Sequence, residues 1–143
     1  MNNKNVILIT CFSLSLFGCG GGGGGSTSSN SVSTSAAVTL SSSASSIYES
    51  ATGTITITAT LSRTVSENVT VTIGTSGTST EGTDYSNVSN ITISAGNTTG
   101  TATFNPTSDS VYENSNETAI LSITGVSGGG ASESGNQSVT ITI

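Results

Sequence analysis

The sequence contains no histidine and no tryptophan, a single proline, two cysteines, and only two basic residues, Lys4 and Arg63. Without histidine, Ser-His-Asp triads, imidazole proton shuttles and His-ligated zinc are excluded. Two cations against eight acids, net charge −6, exclude a nucleic acid or an anionic lipid surface as partner. Paired carboxylates could still hydrolyse a glycoside, but that chemistry needs an aromatic-lined substrate cleft, and the sequence offers three tyrosines and three phenylalanines. The chain is therefore expected to be non-catalytic. No apolar run approaches the roughly 20 residues that a membrane-spanning helix needs, and no segment has helical periodicity.

What is present begins with a processing signal. Lys4 is followed by an apolar run from Val6 to Phe17, which has the length of a signal-peptide hydrophobic region. It ends in Leu16-Phe17-Gly18-Cys19, a motif that resembles the lipobox of bacterial lipoproteins. The resemblance implies that residues 1–18 form a cleaved signal peptide and that Cys19 is acylated, so that a lipid bilayer is the first partner. Cys11 would leave with the signal, so the mature chain would hold no disulfide. Arg63 would remain as its only basic side chain. Gly20 lacks the Asp that retains many lipoproteins at the inner membrane, which by resemblance points to the outer membrane. Residues 19–37 read as a Gly/Ser-rich tether without apolar residues to bury. A reach of roughly 20–25 Å follows from its length.

From Val38 onward the pattern becomes a strict alternation of apolar and hydroxyl side chains. It recurs in Ile55–Leu61, Val69–Ile73, Ile91–Ile93, Ala102–Phe104, Ala119–Ile123 and Val139–Ile143. Period-2 runs of β-branched residues bounded by Gly, Asn and Ser predict strands with one face buried. The expectation for residues 38–143 is an all-β, immunoglobulin-like antiparallel β-sandwich of about seven strands. The Gly125-to-Gly135 segment is expected to be a mobile loop before the last strand.

Five of the eight acids cluster around the three tyrosines, in Tyr48-Glu49, Asp84-Tyr85 and Asp109-Ser-Val-Tyr-Glu113 with Glu117 beyond. A tyrosine plugged into the end of the core would aim its neighbouring carboxylate outward. Three such positions together would offer Ca²⁺ its preferred hard oxygens. Glu67, Glu81 and Glu133 read as solvated charges.

The order Ile47-Tyr48-Glu49-Ser50, Glu81-Gly82-Thr83-Asp84-Tyr85, Ile91-Thr-Ile-Ser-Ala-Gly96, Gly100-Thr-Ala-Thr-Phe104 and Asp109-Ser-Val-Tyr-Glu113 resembles the Calx-beta domain family. The likeness runs from about Val38 to Ile143. It implies Ca²⁺ ligation at one end of the sandwich by Glu49, Asp84, Asp109, Glu113 and Glu117, with the backbone carbonyl of Val111. Three departures reduce that expectation to one weak site. Ser108 and Ser110 stand where the family often has Asp. The spacing from Glu113 to Glu117 is one residue longer than usual. The acidic cluster that follows the family's last strand has no counterpart before Ile143. The alternative is a metal-independent structural or adhesion module, or a fragment of a larger surface protein, with a protein or carbohydrate partner.

Overall fold

The computed structural model describes residues 35–50, 52–108 and 116–143. Within them lie eight strands: β1 (Ala36–Ser42), β2 (Ile55–Leu61), β3 (Val69–Gly77), β4 (Ile91–Ile93), β5 (Thr99–Phe104), β6 (Thr118–Ser127), β7 (Ala131–Glu133) and β8 (Ser138–Thr142). They form two four-stranded sheets, ordered β5-β2-β1-β7 and β4-β3-β6-β8. The two sheets face one another across a shared apolar core, the β-sandwich that the alternation predicts.

Every second residue of these strands points inward, which is why the alternation was visible in the sequence. Val38 and Leu40, Ile55, Ile57 and Leu61, and Phe104 come from the first sheet. Val69, Val71, Ile91, Ile93, Leu121 and Ile141 come from the second, and all are buried. Each such side chain contributes about 1.5–3 kcal/mol relative to exposure. The outward positions are filled chiefly by Thr and Ser, whose β-branched or small side chains suit a pleated surface.

Three features differ from the expectation. The core begins two residues earlier than residue 38, because Ala36 is already buried at the start of β1. The segment from Gly125 to Gly135 is not one long loop: it holds the end of β6 and the whole of β7. The turn between them is Gly128-Gly129-Gly130, with φ of +93°, +56° and +61°, a left-handed run that only glycine adopts freely. A Cβ on Gly128 would also collide with the Asn68 carbonyl oxygen. Through this turn the chain leaves the second sheet and joins the first. There β7 pairs in parallel with β1 (Ala36 with Ala131, Val38 with Glu133), the one parallel pairing among the named strands. The third difference is a β-bulge between Thr72 and Ile73, opposite Ile123 and Gly125 on β6. There the Asn90 Oδ1 accepts the Ile73 backbone N–H at 3.1 Å.

Candidate functional site

The registers collect three loops at one pole. Ile55 at the start of β2 pairs with Phe104 at the end of β5. Gly77 at the end of β3 pairs with Ala119 near the start of β6, and Thr118 pairs with Thr142 at the end of β8. The β1–β2, β3–β4 and β5–β6 connections therefore all emerge together, and each carries candidate acids. Backbone hydrogen bonds tie them to one another. The Ile47 N–H donates to Thr142 at 2.9 Å, the Thr107 N–H to Asp84 at 2.9 Å, and Ile143 and Glu117 exchange bonds at 2.9 and 3.2 Å.

Asp84 is only 7% exposed. Its Oδ2 accepts the Thr80 backbone N–H at 2.5 Å, while its own N–H donates to the Thr80 carbonyl at 2.9 Å. The carboxylate therefore closes its own loop, as Asx side chains do in turns. Glu81 corrects the expectation of a solvated charge. It is half-buried, with Oε2 accepting the Thr75 hydroxyl at 2.7 Å and Oε1 accepting the Val88 N–H at 3.1 Å. Glu133 is corrected likewise: it is half-buried and its Oε1 accepts the Gln137 N–H at 2.5 Å. Glu67 is exposed as expected, although its Oε2 also accepts the Gly129 N–H at 3.2 Å.

The tyrosines divide. Tyr85 is a core plug, 1% exposed and stacked on Phe104 with ring centroids 4.7 Å apart. Burial pushes its phenol above the ordinary value of 10.0; a hydrogen bond with Thr75 opposes this, and the charges of Glu81 and Asp84 reinforce it. Tyr48 is no plug: it is 83% exposed, whereas its neighbour Glu49 is half-buried. The expected geometry is thus reversed at this pair. Tyr48 lies outside any strand, so strand alternation does not set its direction, and Ile47 packs against the core in its place.

Of the predicted calcium ligands, Glu49, Asp84 and Glu117 all belong to this pole, and Glu117 is half-buried. Asp109, Val111 and Glu113 lie outside the described residues, as does Cys19 with the whole lipobox. Among the described residues, no three Asp, Glu, His or Cys side chains come close enough together to hold a metal ion. The described carboxylates alone therefore do not supply a Ca²⁺ donor set, and Asp84 has one oxygen engaged by Thr80. Two features of this pole escaped sequence reasoning. One is Ser79, whose buried hydroxyl has no hydrogen-bond partner. The other is a cleft of about 200 Å³ lined by Ser46, Ile47, Tyr48, Asn116, Thr142 and Ile143. No sequence signal marks either, because each depends on loops brought together from distant parts of the chain.

Comparison with known proteins gives the same architecture. The crystal structure of the apo-form Calx CBD1 domain matches with a TM-score of 0.59 at 17% identity, over 74% of this chain and 95% of that one. At that identity the likeness carries the fold, which is Calx-beta-like. No curated protein matches the sequence. The family model of the LapA domain matches residues 34–143.

Proposed function

The chain belongs to the LapA domain family, and on that footing we propose that it is a non-catalytic β-sandwich module of the bacterial cell envelope whose acid-bearing pole binds Ca²⁺ weakly. The family's association with the cell surface supports the location. The observation that carries the reading is the gathering of the three acid-bearing loops at one pole. In this reading Asp109, Glu113 and the Val111 carbonyl join Glu49 and Glu117 as the principal ligands, and Asp84 serves chiefly as a loop cap. A bound Ca²⁺ would offset the repulsion between carboxylates and cross-link the loops. Attachment is through acylated Cys19, most simply at the outer membrane.

Thermal unfolding in EGTA and in millimolar Ca²⁺ tests the metal. A site filled at ten times its dissociation constant stabilises the fold by about 1.4 kcal/mol, roughly 6 °C in Tm for a domain of this size. Asp109→Ala and Glu113→Ala should each remove that shift. An unchanged Tm would falsify calcium binding and leave the metal-independent module. The Asp84–Thr80 bond favours that second reading, since it gives a buried carboxylate a purely structural task. The anchor is tested separately: Cys19→Ser should abolish fatty-acid labelling and move the protein from the detergent phase into the aqueous one.

A further inference from the structure

We propose that the cleft beside Tyr48 is a binding site for a single neutral sugar ring. Two independent observations meet there. Tyr48 is the one large apolar side chain that stands open to solvent among the described residues, at 83% exposure. In a chain with so few aromatics, leaving a tyrosine out of the core forgoes about 1.5–3 kcal/mol of burial. The second observation is the cleft itself, about 200 Å³, which Tyr48 borders. Drug-sized ligands occupy pockets of about 300–1,000 Å³, so this one has room for one ring and little more.

The lining suits that ligand. An exposed aromatic ring offers a flat face on which the C–H face of a pyranose can stack, and its hydroxyl remains wet. Ser46 and Thr142 bring hydroxyls that both donate and accept, and Asn116 brings an amide with two donors and an acceptor. These are the groups that read vicinal hydroxyls. Ile47 and Ile143 supply the apolar part of the wall. Charge then narrows the class. Among the described residues neither lysine nor arginine lines the cleft, and the chain carries net charge −6. With no cation in the described lining to pair a carboxylate, and a chain of net negative charge, uronic and sialic acids are disfavoured, so the sugar is uncharged. Among the described residues no carboxylate side chain lines the cleft, so sugar binding is expected to survive the removal of calcium.

The test uses the full chain with Cys19→Ser, so that no acyl group or detergent enters the sample. Saturation-transfer NMR and calorimetry are run with methyl β-glucoside, methyl β-galactoside, methyl α-mannoside and glucuronic acid. A ligand this small is expected to bind at about 1–10 mM. At least one neutral glycoside should bind, glucuronic acid should not, and EGTA should change nothing. Tyr48→Ala should weaken binding at least about tenfold and Tyr48→Phe should preserve it, both without a change in Tm, since the side chain is exposed. Asn116→Ala should weaken it by a smaller factor. The proposal is overturned if no neutral glycoside binds, if Tyr48→Ala binds as well as the parent, or if binding disappears in EGTA. The last result would place the sugar on a metal ion instead of in the cleft.

Discussion

The pairs Asp84-Tyr85 and Tyr48-Glu49 contain the same two kinds of side chain, in loops at the same pole, and meet opposite fates. In the β3–β4 loop both residues are buried: the ring stacks on Phe104 and the carboxylate holds Thr80. In the β1–β2 loop the ring stands in solvent and the acid is half-buried. The difference lies in what the neighbouring chain offers. Residues 80–88 are bound tightly to themselves and to β5's exit, with Tyr85 bridging to Pro106 and the Ser86 N–H donating to Asn105 at 2.9 Å. Around Tyr48 the corresponding core position is taken by Ile47. An acid beside a tyrosine is therefore a cue to position, and the surrounding loop decides which of the two turns inward.

The largest break in this comparison comes from the rings. Tyr85→Ala should cost about 3–5 kcal/mol, the range for removing a buried aromatic. Tyr48→Ala should stay within about 0.5 kcal/mol. Urea unfolding of both variants measures the contrast, and equal losses would erase it. The acids come next. Asp84→Ala removes the carboxylate that accepts the Thr80 backbone N–H and should cost about 1–3 kcal/mol, with faster hydrogen exchange at Thr80. That loss should be the same in EGTA as in Ca²⁺, which separates the cap from any ligand role.

A pH series sharpens the same contrast from one side. The folded Tyr85 phenol titrates above the unfolded value of 10.0, so above that pH the unfolded chain binds fewer protons than the folded one. Its contribution to stability is complete below about pH 10 and declines as pH rises through the raised folded value. Unfolding midpoints measured from pH 9 to 11 should therefore fall, and Tyr85→Phe should flatten the decline. The smallest effect expected is at Ser79. Its unpartnered buried hydroxyl costs stability, so Ser79→Ala should raise it by up to about 1 kcal/mol. A loss instead would mean that the hydroxyl has a partner in solution.

The β-sandwich was legible because a half-buried strand writes its geometry directly into period-2 alternation. Ile55-Ile57-Ala59-Leu61 is the clearest case, and all four residues face the core. β7 was not legible. Ala131-Ser132-Glu133 is three residues long, flanked by glycines, and exists through pairing with β1, some 95 positions earlier. The same reason hid the role of Glu81, whose partners Thr75 and Val88 come from β3 and the far side of the loop. Sequence order did locate the acid-bearing pole, since strand ends follow from strand limits. It did not reveal which carboxylates would be engaged by backbone N–H groups.

The parallel pairing of β7 with β1 has a mechanical consequence. The fold is entered at Ala36, at the pole opposite the acid-bearing loops, and β8 reaches Thr142 at the loop pole. A pull between those two points runs lengthwise through the sandwich and loads β1 along its own axis. Flanked by β2 on one side and β7 on the other, β1 cannot be peeled away one hydrogen bond at a time. Both ladders must shear together. The triple-glycine turn that delivers β7 thus acts as a clasp on the strand that would bear the load.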